Sequence, residues 1–152
     1  MYCCFCGDPI KDHTGEKCVR VGMWQKDKIT KAKRCIFTFG LGGCTAAAVK
    51  CGDLVWIYHD PNAANVRRWL LSLNREKVVV RVPYEWEKID GKWEEKPKDE
   101  QFADLIGSNF RVEGYSLDQS IGSDYHYNSG LYVFWEDERW KYFNTFGQTL
   151  DF

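Results

Sequence analysis

Cys44 directly follows Leu41-Gly42-Gly43, and His59 stands fifteen residues later, at the end of "LVWIYHD". A thiol and an imidazole form the pair that attacks an acyl carbon: the sulfur adds, and the ring takes and returns the proton. A cysteine becomes a useful nucleophile as its thiolate, which needs a neighbouring base or positive potential, and exposure. His59 would supply that base and favour the thiolate. Gly40, Gly42 and Gly43 permit a tight turn with unusual backbone angles. Such a turn can aim successive N–H groups at one point, which is how an oxyanion is held. The backbone of Leu41, Gly42 and Gly43, with the N–H of Cys44, is therefore the expected oxyanion site. Thr38, six residues before the cysteine, would bond the second ring nitrogen and fix the tautomer of His59. Each residue also has an ordinary use. A cysteine after glycines packs as a small core residue, a histidine at a strand end is often a hydrogen-bonded rim residue, and threonine is common in strands.

The trio meets only if the strand ending at His59 returns beside the segment holding Cys44. "LVWIYHD" (54–60) reads as a strand after the turn "CGD", and alternation puts His59 on one face with Val55 and Ile57. "CIFTF" (35–39) is a β-branched and aromatic run, so a strand, with Thr38 on the face of Ile36. "CTAAAVK" (44–50) fits strand or helix. Val66, Trp69, Leu70 and Leu73 then fall at helical spacing, with Asp60 as a cap, Pro61 in the first turn and Asn74 at the stop. "CVRVGMW" (18–24), "KVVVRVPYEW", "FRVEGYSL" and "GLYVFWEDERWKYFN" read as strands, the last with a hairpin around Glu136 to Arg139. "QKDKITKAKR" reads as a connection, "EKIDGKWEEKPKDE" as a charged hairpin tip around Asp90-Gly91, and "QFADLIG" as a short helix. The expected fold is α+β: one domain over 1–152, a mainly antiparallel or mixed sheet or sandwich, with one or two helices packed on it.

The Leu41-Gly42-Gly43-Cys44 turn, with Thr38 before it and His59 after it, resembles the core of the bacterial glutamine-deamidase superfamily. That superfamily includes the chemoreceptor glutamine deamidases, the catalytic domain of cytotoxic necrotizing factors, and the lethal-factor deamidases. Its members share a Leu-x-Gly-Cys turn. Two branches place a threonine six residues before the cysteine, and the histidine lies on a later strand. The resemblance covers about residues 34–74 and implies hydrolysis of a glutamine carboxamide in a protein substrate. Cys44 would be the nucleophile, His59 the acid–base and Thr38 its orienting partner, and no metal or other cofactor would be required. Thr45-Ala46-Ala47-Ala48 departs from the apolar variety usual after the cysteine and leaves the register of that strand open.

The 152 residues carry a net charge of −1, which supplies no bulk attraction for nucleic acid or a membrane surface. No apolar run reaches spanning length, and the N-terminus lacks the basic and apolar regions of a signal peptide. A cytosol, the producing cell's own or a host's, is therefore the expected location. Seven cysteines cannot all pair within one chain, and reduced thiols are the expected state. Residues 1–18 form a cysteine-rich head in which Cys3, Cys6, His13 and Cys18 have the donor types for a structural zinc ion. Cys35 and Cys51 read as core residues. His126 competes with His59 as a base, and Tyr125, Tyr127 and Tyr132 are candidate rim contacts. Other readings stay open: a non-catalytic zinc-binding or protein-interaction module, or a small-molecule amidase or cysteine peptidase with the same dyad.

Overall fold

The computed structural model describes residues 18–116 and 129–152. Its strands are β1 (Cys18–Arg20), β2 (Gln25–Ile29), β3 (Cys35–Thr38), β4 (Thr45–Cys51), β5 (Leu54–Asp60), β6 (Lys77–Ile89), β7 (Lys92–Pro97), β8 (Phe110–Tyr115), β9 (Leu131–Glu136), β10 (Arg139–Phe143) and β11 (Thr149–Asp151). One helix, α1 (Ala63–Leu71), follows β5. One sheet runs β1-β3-β9-β10-β11; the other runs β2-β5-β4-β6-β7, with β8 pairing the first half of β6. Most neighbours are antiparallel, while β1–β3 and β6–β8 are parallel. The fold is thus a single α+β domain of mixed sheet with one helix.

The two sheets close on each other around Ile36, Val133 and Tyr142 from one side and Ala46, Ala48, Val55, Ile57 and Val79 from the other. Val66 and Leu70 of α1 cover the opposite face of the six-stranded sheet, against Ala47, Val49, Tyr58, Val78 and Val80. Both faces of β4 and of Val78 to Val82 in β6 are therefore covered, which is why "CTAAAVK" and "KVVV" read as continuous small or apolar runs. Alanine has little strand preference of its own, so the "CTAAAVK" ambiguity is resolved by pairing: β4 is flanked by β5 and β6.

Several local expectations are corrected. Gln25–Ile29 is a strand, not part of a connection, because it pairs with β5. Its Lys26 and Lys28 ammonium groups sit over the Tyr58 and Trp56 rings, so their stems cover apolar surface. Residues 101–105 form turns anchored by buried Phe102 rather than a second helix. Asn62, not Asp60, caps α1, its side chain accepting from Ala64 N–H. Asp60 instead accepts from Asn62 N–H at 2.7 Å and from the Tyr58 hydroxyl at 2.6 Å. The helix ends at Leu71, with Ser72 rather than Asn74 at the stop. The Asp90-Gly91 tip forms as read, with φ of 50° and 78°.

Cys18 and Cys35 are register partners on β1 and β3 and are joined by a disulfide. The expectation of fully reduced cysteines fails for this pair, because the parallel neighbours bring their Cα atoms to 4.5 Å. Cys18 is for the same reason not a metal ligand in this structure. Cys3, Cys6 and His13, with the rest of the head, lie outside the described residues, as do Tyr125, His126 and Tyr127. Cys51 is half-buried rather than a core residue. Tyr132 is buried in an aromatic cluster with Phe37, Phe134 and Phe143 rather than on a rim. No helix among the described residues is long and apolar enough to cross a membrane.

Candidate active site

The turn before Cys44 takes the left-handed backbone that glycine adopts without a Cβ penalty, with φ of 70°, 48° and 111° at Gly40, Gly42 and Gly43. It is tied down at three points. Cys44 N–H donates to Leu41 C=O at 2.6 Å, and Leu41 N–H donates to Ser129 C=O at 2.9 Å. The hydroxyl of Tyr115, at the end of β8, accepts from Gly43 N–H at 2.8 Å and donates to Cys44 C=O at 2.6 Å. In this conformation the amides of Gly43 and Cys44, expected to face an oxyanion, are both engaged. The Gly42 amide makes no hydrogen bond to the described residues.

His59 lies directly opposite Ala46 in the β4–β5 pair. Cys44 is two residues before Ala46, so alternation turns thiol and imidazole toward the same inter-sheet layer, whose core includes Cys44. Thr38 reaches that layer from β3. Its hydroxyl donates to Val21 C=O at 2.7 Å and stands 2.7 Å from His59 Nδ1. A threonine hydroxyl has one proton, and Val21 takes it; Nδ1 must therefore carry a hydrogen and donate to Oγ1. The network assigns the Nδ1–H tautomer and leaves a lone pair on Nε2. That nitrogen is buried and has no hydrogen-bond partner among the described residues, the Cys44 thiol included.

Burial pushes the Cys44 thiol above its ordinary pKa of 9.0, and the Asp60 carboxylate adds to the rise. Burial lowers the His59 pKa below 6.5, partly opposed by Asp60. Both shifts favour the uncharged forms, a thiol and a neutral imidazole, because both groups are buried: Cys44 is 6% exposed and His59 2%.

A cavity of about 470 Å³ opens at the start of α1, lined by Gly43, Thr45, Asn62, Ala63, Ala64 and Gln101 and by neither Cys44 nor His59.

Two residues near the site escape the sequence reading. Tyr115 carries no local signal, since its contact with the turn spans 71 positions. Arg81 does carry one, a charge inside the apolar "KVVVRVPYEW". It is fully buried, pairs with Glu113 at 3.3 Å, and donates to the carbonyls of Gly130 and Phe143. The Tyr142 hydroxyl donates to the same carboxylate, and burial and that carboxylate push its pKa up to about 12. His59, Ala46, Arg81 and Glu113 stand in one row across β5, β4, β6 and β8. Ala46 stands between the imidazole and the guanidinium in that row. Through Gly130, Arg81 also steadies the backbone next to Ser129, which holds Leu41.

No family model matches the chain. No curated protein sequence matches it either. Among solved structures it is similar to the C-terminal domain of CNFy from Yersinia pseudotuberculosis, with 11% identity and a TM-score of 0.45 over 82% of this chain and 54% of that one. The chain thus spans about half the length of that structure.

Proposed function

We propose that this chain is a cysteine-dependent hydrolase of glutamine side-chain amides in proteins. The observation that supports it most is the Val21–Thr38–His59 relay, which points a buried Nε2 lone pair into the layer that also holds Cys44. The Leu-Gly-Gly-Cys resemblance supports glutamine as the substrate.

In this reading, the substrate carboxamide is presented to Cys44 at the glycine turn. As Cys44 Sγ bonds to the amide carbon, its proton passes to His59 Nε2, so no resting thiolate is needed. The imidazolium is stabilised through Nδ1–H by Thr38, whose own hydroxyl keeps donating to Val21 C=O. The oxyanion takes the Gly42 N–H, and the Gly43 N–H once Tyr115 releases it. Collapse breaks the C–N bond, and Nε2 returns the proton to the leaving nitrogen as ammonia. A water then gives its proton to Nε2 and adds to the thioester. The C–S bond breaks, the sulfur is reprotonated, and a glutamate side chain remains.

The test is ammonia release from glutamine-containing proteins, with peptide mapping for conversion of glutamine to glutamate. The wild type should release ammonia without cutting the chain, and a folded Cys44→Ser protein should be silent. New termini instead of converted glutamines would make the dyad a peptidase. Equal activity in Cys44→Ser would place the nucleophile elsewhere.

A further inference from the structure

The turn joining β1 to β2 carries Trp24, 70% exposed, beside Met23 at 43%. Gln25 N–H donates to Gly22 C=O at 3.1 Å, so Met23 and Trp24 are the two central residues of a closed turn. The Gly22 N–H donates to the Gln25 side-chain oxygen at 3.0 Å and braces it further. Trp24 has φ of 63°. That second central position favours glycine or asparagine, since a Cβ is strained there. A bulky residue held against its backbone preference, with its ring in solvent, contributes nothing evident to the fold.

The location explains it. Gln25, next to Trp24, is the register partner of His59. Val21, at the turn's entry, accepts the Thr38 proton that sets the His59 tautomer. The turn is therefore bonded to the catalytic relay at both ends. Trp86, Trp93 and Phe146 are similarly exposed, but none pairs with a site residue or has left-handed backbone.

We infer that Trp24, with Met23, is the specificity anchor of the site, packing on an aliphatic or aromatic side chain that flanks the target glutamine in a protein substrate. The inference rests on the proposed glutamine hydrolysis. A large flat ring on a braced turn loses little conformational freedom on contact, which is why tryptophan dominates such anchors.

Trp24→Gly and Trp24→Asn test it, since both residues accept φ of 63°. Ammonia release would be measured with β-casein and with the dipeptide N-benzyloxycarbonyl-Gln-Gly, and Cys44→Ser would give the blank. Melting temperatures should hold or rise. The ratio of kcat/KM for casein to that for the dipeptide should fall about tenfold. An unchanged ratio in folded variants overturns the anchor and leaves the hydrolase intact. A lowered melting temperature with equal loss on both substrates makes Trp24 structural and also overturns it. If the wild type releases no Cys44-dependent ammonia from either substrate, the proposed function itself fails and takes the anchor with it.

Discussion

Replacing Thr38 with valine removes one oxygen from the relay and keeps the side-chain shape. The residue is 2% exposed, and its hydroxyl serves two buried partners at 2.7 Å each. Val21 C=O loses its donor and His59 Nδ1–H loses its acceptor. Each orphaned group costs about 1–3 kcal/mol, so the fold should lose roughly 2–6 kcal/mol. At roughly 2–4 °C per kcal/mol for a domain of this size, the melting temperature should fall by about 4–24 °C. Catalysis should suffer separately, because the imidazole is no longer held as the Nδ1–H tautomer and Nε2 is not always the base. An upper bound is the roughly 10⁴-fold loss caused by a wrong tautomer in a serine protease triad; with no opposing donor introduced, a loss of about 10²-fold in kcat is expected here. KM should change little, since a residue this buried is out of reach of substrate. The assay is steady-state ammonia release on the dipeptide below the melting range, with nitrogen NMR of the imidazole reporting the tautomer. Thr38→Ser, which restores the hydroxyl, should recover most of both losses. A folded Thr38→Val protein with wild-type kcat and an unchanged tautomer would refute the relay.

Tyr115→Phe removes the hydroxyl that bridges Gly43 and Cys44; it should cost about 1–3 kcal/mol by urea denaturation and lower ammonia release, and no change in either would mean the turn holds itself. Arg81→Met leaves the Glu113 carboxylate without its buried cation and should cost about 3–5 kcal/mol in the same measurement; a loss near zero would mean that Glu113 finds water. The acid limb of kcat/KM should have its midpoint below 6.5, because burial lowers the His59 pKa and the neutral ring is the base. The same shift contributes stability in full above pH 6.5 and loses it as pH falls through the folded value, since below 6.5 the unfolded chain takes up the proton first. An acid limb at or above 6.5, or NMR titration of His59 there, would contradict this.

Residue type and alternation carry far in this chain. Thr38, Cys44 and His59 stand out through the resemblance rather than residue type alone, and the inter-sheet core contains the Val55, Ile57 and Ile36 that alternation assigns to their faces. The strands β3, β5 and β6 and the helix are legible because their apolar periods are strong. What stays hidden depends on partners distant in sequence. β2 is charged and reads as a connection until β5 supplies its pairing. The Cys18–Cys35 bond needs the parallel β1–β3 neighbourhood, which no local pattern announces. The engaged amides of Gly43 and Cys44 could not be foreseen, because Tyr115 reaches the turn from another strand. The direction in which Cys44 and His59 shift was also out of reach, since it depends on how deeply they are buried.

The central claim is that Cys44 forms a bond to the glutamine carbonyl carbon. It is tested most directly by acid-quenching the enzyme during turnover of the dipeptide and mapping the adduct by mass spectrometry. The predicted result is a peptide containing Cys44 that carries the mass of the substrate less ammonia, lost on treatment with hydroxylamine and absent from Cys44→Ser. Ammonia released at the wild-type rate while the adduct sits on Cys51, or on no cysteine at all, would contradict it.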